Sequence, residues 1–162
     1  MTSEALLDSL VRSCFQVMGV LTRIGAEHDL SLTQLRVLGI LRDRRARVTD
    51  LALFLGVDKS SMSGLIDRAE RRGLMARDKN PEDRRALDVF LTPAGLDLTQ
   101  RLFDEARGVL QPTIRELGAE QQQTLVDLLE PILIGTAGPG PLKPVRSRDS
   151  SARGAANPAG DD

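Results

Sequence analysis

Between Asp58 and Arg85 the chain gathers side chains suited to hydrogen-bonding a charged polymer. They are poorly suited to breaking covalent bonds. Lys59, Ser60, Ser61, Ser63, Gly64 and Arg68 share a run with Met62, Leu65, Ile66 and Ala69, whose three- and four-residue steps define one buried helix face. The serines, the glycine, Asp67, Arg68 and Arg71 are then left mostly outward. Small side chains let a helix lie close against a groove. A serine can bond several base edges, so the bases it reads cannot be decoded from it. Arg84 and Arg85 stand at the return of a polar tip, Asn80-Pro81-Glu82-Asp83. An arginine on a thin loop can enter a narrow minor groove, where the negative potential is enhanced. The plainer alternative is a polar helix face beside a hairpin with a solvated, charged tip.

Catalytic constellations are missing from the sequence. His28 is the only histidine and Cys14 the only cysteine, so no multi-histidine or Cys/His metal cluster can form within one chain. There is no glycine-rich phosphate loop and no nucleophile elbow. The expectation is a protein that is not an enzyme and needs no cofactor or metal. His28 reads as a solvent-exposed residue at a helix end.

The elements that must position these residues follow from the pattern. Asp50 to Leu55 is a short amphipathic segment stopped by Gly56, with Thr49 as its cap. Asp58 caps a second helix that runs to Arg72 and stops at Gly73. Two β-prone runs follow, Leu74–Lys79 and Leu87–Leu91, and Val48 adds a short third strand. Helix, tight turn, helix and two-stranded wing is the order of a winged helix-turn-helix.

Other helices flank this module. Residues Ser3 to about Ala26 carry a stripe of Leu7, Leu10, Val11, Cys14, Met18, Leu21 and Ile24, widened by Phe15, Val17 and Val20. That is more apolar surface than one small domain needs on one helix, so part of it is expected to face a second chain. Ser31 caps a helix from Leu32 to about Arg44. Thr92-Pro93 starts another, which Pro112 must kink or interrupt. A last helix, Ala119 to about Ile134, is expected to bury Leu125, Leu128, Leu129 and Ile132. Residues 136–162, rich in Gly and Pro, read as a disordered tail.

Composition sets the remaining bounds. A chain of 162 residues can bury a real core, and one domain is the expectation. No apolar run is expected to reach the length of a membrane span, and a lone cysteine fits a reducing cytoplasm. Net charge is −1, yet residues 36–85 hold 13 Lys/Arg against 8 Asp/Glu. Positive charge is therefore concentrated on the proposed reading module. No Trp or Tyr is present to stack unpaired bases, which points away from single strands and RNA.

The run SSMSGLIDRAERRGLMAR (Ser60–Arg77), the pattern Asp83-x-Arg85 followed by Leu91-Thr92-x-x-Gly95, and the start Leu30-Ser31-Leu32 resemble the MarR family of bacterial transcriptional regulators. The resemblance covers about Leu6 to Leu133. It implies a mainly α fold with a small β-wing over residues 1–135: a winged helix-turn-helix at about 32–92 and dimerisation helices at about 3–26 and 93–134. It further implies a homodimer on double-stranded DNA, a repressor released from a palindromic operator by a small-molecule effector. In the resembling family an aspartate matching Asp67 pairs with the wing arginine matching Arg85, so Asp67 and Asp83 are expected to orient the wing.

Two alternatives remain. One is a thiol-based redox regulator using Cys14. The family's hydroperoxide sensors place a cysteine in the first helix, followed by phenylalanine as here, but pair it with tyrosines that this sequence lacks. Cys14 shares the apolar stripe and is instead expected to be a small buried hydrophobe. The other alternative is a winged helix used only for protein contacts.

Overall fold

The side chains of Ser31, Asp58 and Thr92 cap the starts of three helices. The computed structural model describes residues 3–136, so the expected tail lies outside the described residues beyond Thr136. Helix α1 spans Ser3–Glu27 and α2 spans Leu32–Leu41. Ser31 caps α2 in a reciprocal box: its Oγ accepts from Gln34 N at 3.2 Å, and its own N–H donates to Gln34 Oε1 at 2.8 Å. Then come β1 (Ala46–Arg47), α3 (Val48–Leu55), α4 (Lys59–Arg71), β2 (Met75–Lys79) and β3 (Leu87–Leu91), and finally α5 (Pro93–Ile114) and α6 (Ala119–Thr136). The chain is mainly helical with one small sheet, as a winged helix-turn-helix requires.

Two glycines fix the geometry of the reading module. Gly56 ends α3 at φ 67°, with Gly56 N donating to Leu53 O and Val57 N to Ala52 O. This double bond pattern needs a left-handed residue, which a side chain would strain. Gly73 ends α4 in the same way. Gly95 serves a different purpose. A Cβ there would lie 2.0 Å from the Leu74 carbonyl oxygen, so only glycine lets α5 start against the beginning of the wing. Thr92 completes this junction, its Oγ1 accepting from Gly95 N and donating to Gly73 O, while its N–H donates to Leu74 O.

The strand order is β1-β3-β2, all antiparallel, with Met75 opposite Leu91, Arg77 opposite Val89 and Ala46 opposite Val89 on the other side. Val37, Leu38, Leu51, Met62, Ile66 and Val89 are fully buried beneath the sheet and helices. They form one core with Leu98, Leu102 and Ala106 of α5.

Several expectations are corrected here. Helix α2 stops at Leu41, a turn short of Arg44. Arg44 Nε bonds its neighbour Asp43 at 2.8 Å, and Ala46–Arg47 is drawn into pairing with β3. The third strand precedes Val48, which opens α3, so Arg47 and not Thr49 occupies the N-cap position. Helix α5 runs through Pro112 and ends two residues later, so what the proline removes is its own bond to the Gly108 carbonyl in the last turn. Helix α1 is long and apolar enough to cross a membrane by length and composition, contrary to the reading of its sequence.

The largest correction concerns the outer helices. Leu125, Leu128 and Ile132 are exposed, Leu128 at 63%, and none of the described α6 side chains is buried. Leu7, Val11, Phe15 and Met18 of α1 are exposed too, and so is Cys14. The α1 stripe is apolar as read, and Leu21 and Ile24 at its end pack on α2 and α5. Among the described residues no element covers Leu7, Val11, Phe15 and Met18, the part expected to face a second chain. What is corrected is the burial expected of Cys14 and of the α6 leucines.

Candidate nucleic-acid interface

The recognition helix α4 starts on Asp58, whose Oδ1 accepts from Ser61 N at 2.8 Å. Its carboxylate also accepts from the hydroxyls of Ser60 and Ser61, each at 2.6 Å. Those bonds from Ser60 and Ser61 hold the carboxyl well below the usual aspartate range. Ser60 and Ser61 are exposed as expected, but their donors are committed to the cap. Toward a nucleic acid they present acceptor lone pairs. Lys59 and Arg68 are exposed, and Ser63 and Gly64 are half-buried. Arg68 lies across Gly64, its Nη1 3.7 Å from where a Cβ would stand, so this stretch of helix stays shallow.

Between α4 and the wing lies a groove of about 530 Å³. Arg47, Lys59, Arg77 and Arg85 line it, together with Thr49, Ser63 and Asp67. Arg47 and Arg77 are themselves paired with carboxylates, so among the described residues the unpaired positive charge of the groove lies at Lys59 and Arg85, and Val48 and Leu87 add apolar lining. Basic walls in a concave surface focus a field that attracts phosphate.

Asp67 does not meet Arg85. Its Oδ1 accepts from Arg77 Nη2 at 2.7 Å, and Arg77 Nη1 also donates to Glu70 Oε2. The reason is register. Arg77 sits mid-strand in β2, on the face of the sheet that carries Val89 and packs toward α4. Arg85 lies at the wing return, with its N–H donated to Asp83 Oδ1 at 3.1 Å. Among the described residues, the guanidinium groups of Arg84 and Arg85 have no ion-pair partner.

The tip is built on Asn80, read from sequence as a turn residue, and on Asp88, which sequence reasoning passed over. Asn80 Oδ1 accepts from Glu82 N and Asp83 N, while its Nδ2 donates to both oxygens of Asp88 at 2.9 and 3.0 Å. Asp88 is 1% exposed in an otherwise apolar strand. A buried carboxylate must be hydrogen-bonded, and Asn80 supplies the donor. An aspartate inside the run Leu87–Leu91 was the available signal. Asp83 is tied to β1 by Arg47 at 3.6 Å, so its wing-orienting partner is also outside the sequence assignment. Arg45 stacks on Phe90 at 4.2 Å from the ring centroid and reaches Asp78 at 3.9 Å.

A second cavity, about 180 Å³, sits between α1, α2 and α5. Leu21, Ile24, Leu35, Leu102 and Phe103 make it apolar, and Arg36 is its only charged lining residue. His28, read from sequence as solvent-exposed, instead bonds Glu105 of α5 through Nε2 at 3.1 and 3.2 Å.

Comparison with known proteins agrees with this geometry. The profile of the MarR family matches residues 30–87. A homoprotocatechuate degradative operon repressor of Escherichia coli is 30% identical over 132 residues, spanning 78% of this chain and 86% of that protein. An uncharacterized HTH-type transcriptional regulator of Bacillus subtilis, YfiV, is 30% identical over 100 residues, or 61% of this chain. That match spans 62% of YfiV, less than two thirds of its length. Among solved structures, Bordetella bronchiseptica BpsR, whose DNA binding is regulated by 6-hydroxynicotinic acid, superposes with a TM-score of 0.60. It is 26% identical, covering 82% of this chain and 93% of BpsR. With a winged module whose groove is basic, and a relative matched over most of its length, the chain belongs to the MarR family of transcriptional regulators.

Proposed function

We propose that this chain is a cytoplasmic repressor that binds a palindromic operator as a homodimer and is released by a small aromatic acid. The electropositive groove between α4 and the wing carries the DNA-binding part. Lys59, Ser63 and Arg68 read or flank the major groove, and Arg84 and Arg85 approach the minor groove. The uncovered apolar faces of α1, α5 and α6 support the dimer, since exposed apolar surface on this scale marks an interface.

The effector site is the cavity against α5. Its volume is comparable with an apolar cavity of about 150 Å³ that takes up benzene. One ring fills it, and Arg36 at its edge suits a carboxylate. BpsR responds to a ring acid of this kind.

Selection of bound duplexes from a random pool tests the reading. Palindromic sequences should be enriched, and their affinity should fall steeply with salt as phosphate counterions are released. No enrichment over the starting pool would refute it.

A further inference from the structure

Besides its buried packing on α3 and its ion pairs with Arg77 of β2, the recognition helix is joined to the long helices α1 and α5 at two places. The first is the junction of Gly73 and Leu74 with Thr92 and Gly95, at the start of α5. The second is Arg72, the C-cap residue of α4. Its Nη1 donates to the Asp29 carbonyl at 3.0 Å and its Nη2 to the His28 carbonyl at 2.9 Å.

Those two carbonyls belong to the turn that closes α1. Helix α1 has no basic residue in its own last turn, although a helix C-terminus favours a cation. Arg72 supplies one from another element. The turn itself is held rigidly. Asp29 is left-handed at φ 54°, Leu30 N donates to Gly25 O at 2.8 Å, and His28 is tied to Glu105 of α5.

We infer that Arg72 is a positioning residue that sets the angle between the recognition helix and the dimer-forming helices. The junction at Gly73 and Leu74 ties the end of α4 to α5 alone, and Arg72, one residue earlier, ties that same end to the turn closing α1, so the reading module meets both long helices there. The planar guanidinium suits this task because it holds two adjacent acceptors at once, which a lysine ammonium does not do in fixed geometry. Arg72 lies on α4 away from the groove lined by Arg47, Lys59 and Arg85, and its donors face protein carbonyls.

The inference rests on the proposed reading of a two-fold operator, and it makes a claim that reading does not. If the angle is fixed, the distance between the two recognition helices of a dimer is fixed, and half-site spacing is read strictly. Affinity should be measured for the selected operator and for versions with one and two base pairs inserted between the half-sites. The wild-type chain should lose about 30-fold or more on the two-base-pair insertion, which rotates one half-site by about a fifth of a turn. Arg72→Ala should bind the parent operator about 10-fold more weakly and lose less than about fivefold on insertion.

Arg72→Lys should lie between the two. The salt dependence of Arg72→Ala should match the wild type, since no phosphate contact is removed. Equal spacing penalties in wild type and Arg72→Ala would overturn the inference while leaving the operator reading intact. A salt slope shallower by about one would overturn it in favour of a direct phosphate contact. Absence of duplex binding by the wild type would remove both.

Discussion

Replacing Arg77 with alanine should separate the role of the strand arginine from that of the wing-tip arginine. Arg77 is 21% exposed and holds two carboxylates of α4: Asp67, 53% exposed, and Glu70, 28% exposed. The pair with half-exposed Asp67 contributes about 0–1 kcal/mol to stability. The more buried bond to Glu70 contributes about 1.5–3 kcal/mol, as charged hydrogen bonds do. Arg77→Ala should therefore destabilise the fold by about 2 kcal/mol, a fall in melting temperature of roughly 8 °C for a domain of this size. DNA binding should suffer separately. Two carboxylates lose their counter-charge beside the groove, and each costs about 0.5 kcal/mol against a phosphate at about 8 Å in water-like surroundings. With lost orientation of the wing added, affinity should fall about 10-fold or more. A double-mutant cycle read by fluorescence anisotropy at fixed salt resolves the pairing. Asp67 and Arg77 should couple by about 1 kcal/mol, and Asp67 and Arg85 by less than about 0.3 kcal/mol. Arg85→Ala should weaken operator binding with its melting temperature nearly unchanged. Tighter binding by Asp67→Ala, or coupling to Arg85 in place of Arg77, would refute the reasoning.

Gly95→Ala should destabilise the chain by about 3 kcal/mol, seen in thermal melts, because the added methyl meets the Leu74 carbonyl and backbone must move. Asp58 makes a pH prediction. Its folded carboxyl is held below the ordinary 3.8, so its contribution is complete above that pH and is lost as pH falls below it. The stability gap between wild type and Asp58→Ala should narrow on acidification through that window, and a gap that widens would contradict the capping role. Cys14→Ser should retain DNA binding that is insensitive to mild peroxide. Peroxide that abolishes wild-type binding and spares the serine variant would favour the thiol-based alternative.

Much of the fold was legible because local rules and tertiary packing agree. Gly56, Gly73, Ser31, Asp58 and Thr92-Pro93 each mark a boundary whose physics is local. The misreadings lie where a distant partner decides. Arg47 could not be placed from its neighbours, since pairing with Asp88 across β3 makes it a strand residue. Asp67 faces outward on α4 as read, but its partner depends on the register that brings Arg77 to it. The exposure of Leu125 and Leu128 could not be deduced from periodicity, which finds an apolar face without saying which chain covers it. Asp88 and Arg72 were invisible for the same reason. Their roles are contacts with Asn80 and with the carbonyls of His28 and Asp29, and spacing alone does not encode them.

Sedimentation of the purified chain, alone and with the selected duplex, joined to hydroxyl-radical footprinting, tests the central claim most directly. Two chains should sediment together at micromolar concentration and remain two on the duplex. They should protect two symmetric half-sites whose centres lie about 34 Å apart, one helical turn. A folded monomer that protects a single half-site would contradict the account.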